Sequence, residues 1–139
     1  FRRVLFRSET DLGDAHPNTV KFIMETKKGN YCEVIGSSIG GGSIQITEVN
    51  GNKVEFTGDY PTLIISHQDV PGAVSNVTSI LYKEHINIAF MKVFRKQRGK
   101  GATMVFEVDN RLNDDVIDEI KGIDSISRVI RINPVKEEE

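Results

Sequence analysis

Hydrophobic and polar residues follow two different periods along this chain, and the change of period divides it into two parts. Before residue 58, apolar positions mostly alternate with polar ones, which is typical of half-buried β-strands. From residue 62 onward, strand-like segments are interrupted by two segments in which apolar residues recur at three- and four-residue spacing, as in amphipathic helices. The chain is therefore predicted to have an all-β first part and a second part of the form βαββαβ.

The first part is predicted to contain four strands joined by tight turns. Asn50-Gly51 is a strong hairpin signal, because both central positions of such a turn favour a positive φ. Gly40-Gly41-Gly42 interrupts the pattern between two strands. So few residues cannot bury a core alone, and we expect this part to lean on the second part or on a missing N-terminal region. The predicted strands are 19–26, 31–38, 43–49 and 53–57.

The order of elements in the second part predicts a ferredoxin-like α+β fold, with an antiparallel four-stranded sheet and two helices on one face. The predicted strand 87–95 is expected to place Ile88, Phe90 and Lys92 on one face. Asn113 is a good N-cap for the second helix. The predicted strands are 62–68, 87–95, 101–109 and 126–132, and the predicted helices are 72–84 and 113–123.

Composition and charge exclude several classes of protein. The formal net charge of -2 over 139 residues gives no general basis for nucleic-acid binding, and the basic run 95–100 is predicted to be a solvated hairpin tip. The single Cys32 allows no internal disulfide, cannot by itself hold a zinc ion or an iron–sulfur cluster, and is expected to pack within a strand. No apolar run approaches the roughly 20 residues of a membrane span, so we expect a cytoplasmic protein.

The first eight residues, Phe1–Ser8, fit no element that follows. They read as the in-frame translation of a common sequencing-adapter end, which predicts a processing scar and a missing true N-terminus. The chain is accordingly predicted to comprise this scar, a partial domain at 9–59, a complete domain at 60–135 and a solvated tail at 136–139.

Asp69-Val70-Pro71-Gly72 is the most informative segment, because it joins a strand to a helix in one step. A helix N-terminus with free backbone N–H groups is a ready site for the carboxylate of a small ligand. The alternative is an ordinary turn in which Asp69 caps the helix. Together with the βαββαβ pattern around it, this segment makes Tyr60–Pro134 resemble an ACT domain, a small module that senses amino acids.

Two upstream motifs make the resemblance more specific. His16-Pro17-Asn18-Thr19 is followed by the glycine-rich segment Ile35–Gly42. Together they resemble the β subunit of the bacterial iron–sulfur-dependent L-serine dehydratase, in which this segment belongs to an allosteric substrate-binding domain before the ACT domain. The alternatives are the regulatory C-terminal region of a D-3-phosphoglycerate dehydrogenase, whose glycine turn is similar, and a free-standing ACT amino-acid-binding protein. The first motif favours the dehydratase.

The resemblance implies a lyase, L-serine ammonia-lyase, that converts L-serine to pyruvate and ammonia. In that family a 4Fe-4S cluster belongs to the α subunit, where its open iron acts as a Lewis acid on the substrate hydroxyl. This chain would be a regulatory β-subunit portion with no catalytic residue, metal ligand or cofactor of its own, and not catalytic alone. The expected partners are the α subunit, L-serine or a related amino acid, and another copy of the ACT domain; nucleic acid and membrane are not expected.

An effector site for a small amino acid is predicted between the first part and the ACT domain of the same or a neighbouring chain. The Asp69 carboxylate would accept the ammonium group, and N–H groups at the helix start or the glycine turn would bind the carboxylate. Asn76 lies one helical turn further, and the resemblance adds Asn87 at the start of the next strand. The predicted effector-binding residues are His16, Asn18, Gly40, Gly41, Gly42, Asp69, Gly72, Asn76 and Asn87.

Several of these residues also have plain structural interpretations. Gly40-Gly41-Gly42 could be a flexible connection between strands, and His16 a loop residue. The other two histidines, His67 and His85, are predicted to be structural or surface residues, because neither has a serine or cysteine partner in a recognisable arrangement.

Overall fold

The computed structural model describes residues 4–5, 18–25 and 27–134. The chain divides into two compact units, Phe1–Thr57 and Gly58–Glu139. His16 and the predicted tail at 136–139 lie outside the described residues. Contrary to the expectation that residues 1–8 join no element, Val4 and Leu5 pair with a strand of the first unit.

The first unit is one antiparallel sheet whose five strands lie in the order of the chain. The four predicted strands are present, each within two residues of its predicted bounds. The third runs two residues further than expected, up to the glycine turn. The strands are β1 (Val4–Leu5), β2 (Thr19–Glu25), β3 (Tyr31–Gly40), β4 (Ser43–Val49) and β5 (Asn52–Phe56).

Two tight turns explain the Gly40-Gly41-Gly42 run and the Asn50-Gly51 pair of this unit. Gly41 and Gly42, with φ of 64° and 81°, form a two-residue connection between β3 and β4, and Gly40 before them has a φ of 94°. Asn50 and Gly51 connect β4 to β5 with φ of 50° and 74°, as the hairpin prediction requires. Residues that carry a Cβ rarely adopt such positive φ angles. The glycine run is thus a defined hairpin turn in which every residue has a positive φ.

The second unit confirms the predicted ferredoxin-like α+β fold. Its four strands form an antiparallel sheet in the order β7-β8-β6-β9. Residues of both helices share one buried cluster with the same face of β6 and β8, so both helices cover one face. The elements are β6 (Thr62–Gln68), α1 (Ala73–Lys83), β7 (Ile88–Arg95), β8 (Gly101–Val108), α2 (Asp114–Lys121) and β9 (Ile126–Ile132).

The core of the second unit lies between the sheet and the helices. Phe106 at its centre has no exposed surface, and neither have Leu63 and Ile65 on the neighbouring strand. Val77, Ile80 and Leu81 of α1 and Val116, Ile117 and Ile120 of α2 are buried against them, as their helical spacing predicts. The packing of the helices on the sheet fixes the positions of the β6–α1 turn and the α2–β9 loop, which form the candidate site.

A β-bulge overturns the predicted facing of β7. Ile88 pairs with Val108, whereas Phe90 pairs with Glu107, so the register shifts between them. Ile88 therefore packs against the core beneath the helices, and Phe90 faces the opposite side. The prediction that Ile88, Phe90 and Lys92 share one face is wrong at Ile88, because one extra residue in a strand reverses the alternation.

Both helices are slightly shorter than predicted. Helix α1 begins at Ala73 because Gly72 before it is left-handed, with a φ of 88°. Helix α2 ends at Lys121. The Asn113 cap is confirmed: its side-chain oxygen accepts a hydrogen bond from the Val116 N–H at 3.0 Å.

Candidate functional site

The turn from β6 into α1 and the loop from α2 into β9 meet at one end of the sheet. The Gln68 N–H donates to the Ser125 carbonyl at 2.8 Å, and His67 pairs with Ile126. Between the two connections lies an open cleft of about 420 Å³. It is lined by Val70, Pro71, Ala73, Asn76, Gly122, Ile123, Asp124 and Ser125.

The first turn of α1 borders the cleft through Ala73 and Asn76 and has no side-chain cap. Gly72 occupies the N-cap position and offers no side chain, and the first turn of α1 carries no acidic residue. Among the described residues, the N–H groups of Val74 and Ser75 have no acceptor, whereas the Asn76 N–H bonds to the Gly72 carbonyl at 2.9 Å. Free N–H groups and the positive end of the helix dipole favour a bound anion.

Asp69 does not cap α1 but binds the hairpin between β7 and β8. Its carboxylate lies 2.8 Å from Arg95 Nε and accepts the Gly99 N–H at 2.9 Å. A second Arg95 nitrogen, Nη2, lies 3.2 Å from the other carboxylate oxygen. The capping interpretation is therefore wrong, because Gly72 takes the cap position and Asp69 is held by partners 26 and 30 residues further along. The ion pair with Asp69 also gives a structural role to Arg95, the first residue of the basic run 95–100.

The contacts of Asp69 predict an unusually acidic carboxyl group. The Gly99 N–H, and after it Arg95, hold the pKa of Asp69 below its ordinary value. A pKa that is lower in the folded chain means that this carboxylate stabilises the fold above an ordinary aspartate pKa of about 3.9. That stabilisation is lost as the pH falls through the lower folded value.

We expect the Gly99 amide resonance in a nuclear magnetic resonance titration to move with a midpoint below about pH 3.9. In the Asp69→Asn variant this transition should disappear, because no carboxylate remains to titrate. A midpoint at or above the ordinary aspartate value would contradict the pairing.

Asn76, Asp124 and Ser125 are the polar side chains of the cleft. Asn76 was predicted from its position one turn into the helix, but Asp124 and Ser125 were not. No local pattern marks these two, since they lie in a short loop some 50 residues after the helix start. Only the ferredoxin-like topology, which returns the α2–β9 loop to the end of β6, could have indicated them.

His67 is buried close to this end of the sheet, with 5% of its surface exposed. Its Nδ1 lies 2.7 Å from the Gln68 carbonyl, and its Nε2 is buried with no hydrogen-bond partner among the described residues. A buried nitrogen without a partner is costly, and the burial of His67 is compatible with the structural role predicted for it.

Asn87 lies at the opposite end of the sheet from Asp69. Its side-chain amide donates to the Asp109 carboxylate at 2.7 Å, beyond the start of β7, whereas Arg95 beside Asp69 ends that strand. Seven residue steps of about 3.3 Å separate Ile88 from Arg95, roughly 23 Å. Within one chain, therefore, Asn87 does not join the cleft.

The remaining predicted site residues belong to the first unit. The Asn18 carbonyl accepts the Ser38 N–H at 2.9 Å, which brings Asn18 to the end of β3 that leads into the glycine turn. Asn18 and Gly40-Gly41-Gly42 thus lie at the same end of that sheet. His16 lies outside the described residues.

Neither a metal centre nor a membrane helix emerges from the described part of the chain. Within residues 4–5, 18–25 and 27–134, no group of three or more His, Cys, Asp or Glu side chains could hold a metal ion. No helix there is both long and apolar enough to span a bilayer.

Residues 61–125 match the ACT domain family. The chain is 39% identical over 127 residues to the probable L-serine dehydratase β chain of Bacillus subtilis, covering 91% of this chain and 57% of that relative. It is 34% identical over 116 residues to the L-serine dehydratase β chain of Peptoniphilus asaccharolyticus, covering 83% and 52%.

A second group of relatives consists of dehydrogenases. The chain is 33% identical over 120 residues to the D-3-phosphoglycerate dehydrogenase of Methanocaldococcus jannaschii, covering 86% of this chain but 22% of that relative. It spans about half the length of the two dehydratase β chains. Residues 61–125 are an ACT domain, in a chain that is similar over most of its length to the β chains of L-serine dehydratase.

Proposed function

We propose that this chain is part of the β subunit of an L-serine dehydratase and that it binds an amino acid to regulate catalysis on a separate α subunit. The observation that carries the proposal is the 39% identity to a dehydratase β chain over 91% of this chain. The ACT domain within the matched region supplies the regulatory part. The dehydrogenase similarity, at 33% over 86%, is weaker, and the regulatory tail of such an enzyme is the second candidate.

The cleft of the second unit is the proposed effector site, with L-serine as the effector. The free N–H groups of Val74 and Ser75 are suited to the carboxylate of an amino acid. The Asp124 carboxylate and the Asn76 side-chain oxygen are acceptors for its ammonium group. A helix start facing one carboxylate suits a zwitterion better than a simple anion, for which Asp124 would be repulsive.

Asp69 remains a proposed effector residue, but binding an effector there would require it to give up or share existing contacts, which the sequence did not reveal. To accept an ammonium group, its carboxylate must release Arg95 or share it, since both oxygens already have donors. We therefore assign the first ammonium contact to Asp124. Asp69 then holds the β7–β8 hairpin next to the cleft and can respond when the cleft fills.

Association of two copies through the ACT sheet would bring Asn87, the predicted site residue that lies far from the cleft, close to the other predicted residues. Strand β7 is an edge strand, and on its helix-covered side Met91 and Val93 are 45% and 42% exposed. Edge strands with exposed apolar side chains invite pairing. If two β7 edges pair antiparallel, Asn87 of one copy approaches the Asp69 end of the other, which gives Asn87 an effector role between chains. The glycine turn and Asn18 keep their proposed carboxylate-binding role in the first unit.

The 4Fe-4S cluster of the proposed holoenzyme is assigned to the α subunit. The single Cys32 lies within β3, and one thiolate does not match the three or four that such a cluster needs. The cluster supplies Lewis-acid chemistry at the substrate hydroxyl on that subunit. This chain contributes binding of the effector and contacts between subunits, in an assembly that we place in the cytoplasm.

We predict that the purified chain alone forms no pyruvate from L-serine, because residues 18–25 and 27–134 present no acid–base constellation for the reaction. It should co-purify with its cognate α chain, and pyruvate should form only when the α chain is present. A coupled lactate dehydrogenase assay measures this. Pyruvate formation by this chain alone would contradict the proposal, and binding to a nicotinamide-dependent dehydrogenase domain instead of the α chain would favour the second candidate.

A further inference from the structure

Where β6 ends, two consecutive residues are joined to different neighbours. Gln68 donates its N–H to the Ser125 carbonyl of the α2–β9 loop at 2.8 Å, and Asp69 donates its N–H to the Lys100 carbonyl at 2.9 Å. Ser125 lines the cleft, whereas Lys100 belongs to the β7–β8 hairpin, residues 96–100, which lies outside the set of cleft residues. The β6–α1 turn is therefore bonded to the cleft wall on one side and to the hairpin on the other.

The side chain of Arg95 crosses β8 to reach Asp69. Arg95 pairs with Ala102 of β8, and Ala102 pairs with His67 of β6, so two strand spacings of about 4.8 Å each separate Arg95 from β6. The Nε atom of Arg95 lies 2.8 Å from Oδ2 of Asp69, and Nη2 lies 3.2 Å from Oδ1. A two-point contact of this kind fixes the orientation of the carboxylate as well as its distance.

The position of Asp69 in turn sets one wall of the cleft. Val70 and Pro71 follow it directly, and both line the cleft. This short connection has little freedom, because the ring of Pro71 fixes its φ and the Val70 N–H is bonded to the Gln68 carbonyl at 2.9 Å. A change in the contacts of the Asp69 carboxylate therefore moves this wall, and a change at the wall moves the carboxylate.

We propose that Arg95 is a positioning residue of the cleft, and that its contact with Asp69 transmits binding in the cleft to the β7–β8 hairpin. The inference rests on the proposed amino-acid site and adds to it a residue that does not touch the ligand. Arg95 orients Asp69, and Asp69 fixes the wall formed by Val70 and Pro71. Because coupling between two sites is reciprocal, a ligand that binds better to the ordered wall also orders the hairpin.

The first test compares two arginines of the same basic run by titration calorimetry with L-serine on the 139-residue chain. Arg95→Ala should weaken binding about 5- to 30-fold. Arg98→Ala removes the same charge from the exposed hairpin, whereas the carboxylate of Asp69 is held by Arg95 and Gly99. The Arg98 variant should bind within about twofold of wild type, since exposed charges are screened. Arg95→Lys keeps the charge but loses the two-point contact, and its affinity should fall between the two.

The second test is a spectroscopic signature of transmission to the hairpin. Gly99 donates its N–H to Asp69 at 2.9 Å but does not line the cleft. Its amide resonance in a nuclear magnetic resonance titration should therefore move as L-serine is added, with the same midpoint as the calorimetric titration. The Gly99 shift should be smaller in Arg95→Ala. Gly51, the turn glycine of the β4–β5 hairpin, is the reference resonance and should stay in place.

The outcomes separate this inference from the proposed effector site. Wild-type affinity in Arg95→Ala, or a Gly99 resonance that does not move while L-serine binds, would overturn the inference and leave the effector site standing. Absence of L-serine binding to the wild-type chain would overturn both. If Arg95→Ala lowers the helical circular dichroism signal, Arg95→Met, which keeps the aliphatic part of the side chain, replaces it in both tests with the same expected results.

Discussion

Replacing Phe106 by alanine is expected to lower the free energy of unfolding of the ACT unit by about 3–5 kcal/mol. Phe106 lies on the central strand β8, has no exposed surface and belongs to the cluster that joins the sheet to both helices. Its removal leaves a cavity that β6 and the helices cannot fill without moving. Because both described helices lie in the second unit, urea unfolding followed by circular dichroism at the helical wavelength measures this loss.

The matched control for Phe106→Ala is Val93→Ala on the neighbouring strand. Val93 lies opposite Met104 on the same side of the sheet, but 42% of its surface is exposed. At protein concentrations at which the chain is monomeric, we expect this variant to lose only about 0.5 kcal/mol. Similar losses in the two variants would contradict the assignment of the core to the helix-covered face.

Asp124→Asn is expected to weaken L-serine binding by about 10- to 150-fold. The expected loss corresponds to the roughly 1.5–3 kcal/mol of a hydrogen bond to a charged group. The carboxylate lines the cleft beside the start of α1 and is the proposed acceptor for the ammonium group of the effector. Titration calorimetry with L-serine on the full chain and its variants measures the change in affinity.

Asp118→Asn is the control for the Asp124 variant. Asp118 is an exposed carboxylate on α2 that does not line the cleft, so its removal changes net charge equally. The affinity of this variant for L-serine should stay within about twofold of wild type, since the Asp118 carboxylate is exposed to solvent and screened by salt. If Asp69→Asn abolishes binding while Asp124→Asn leaves it unchanged, the ammonium group binds at Asp69 and the assignment to Asp124 is wrong.

The period of apolar residues was sufficient to predict every described helix and strand of this chain except β1. The bounds of β6 and β9 agree with prediction to the residue, because β-branched and apolar residues fill both strands and turns end them. The Asn113 cap was equally predictable, since a cap acts on the N–H three residues away. Where structure is set by contacts within a few residues, the sequence is informative.

The misses occur where a contact joins distant parts of the chain. Ile88 was placed on the wrong face because a bulge arises from pairing with β8, which alternation along β7 alone does not reveal. The alternative interpretation of Asp69 as a helix cap was wrong, because Gly99 and Arg95 contact its carboxylate from a hairpin some 30 residues later. Asp124 enters the cleft only through the return of β9 to β6. Part of the candidate site is therefore formed by residues close in sequence, and part by residues that only tertiary contacts bring together.

We propose above that amino-acid binding to this chain regulates catalysis on another subunit. The most direct test of this proposal is the rate of pyruvate formation by the assembled complex with the α chain, measured against L-serine concentration with wild-type and Asp124→Asn subunits. We expect the L-serine concentration that gives half the maximal rate to shift by about fivefold or more in the Asp124→Asn complex, while the rate at saturating L-serine is retained. Superimposable curves from complexes that are equally well assembled would contradict it.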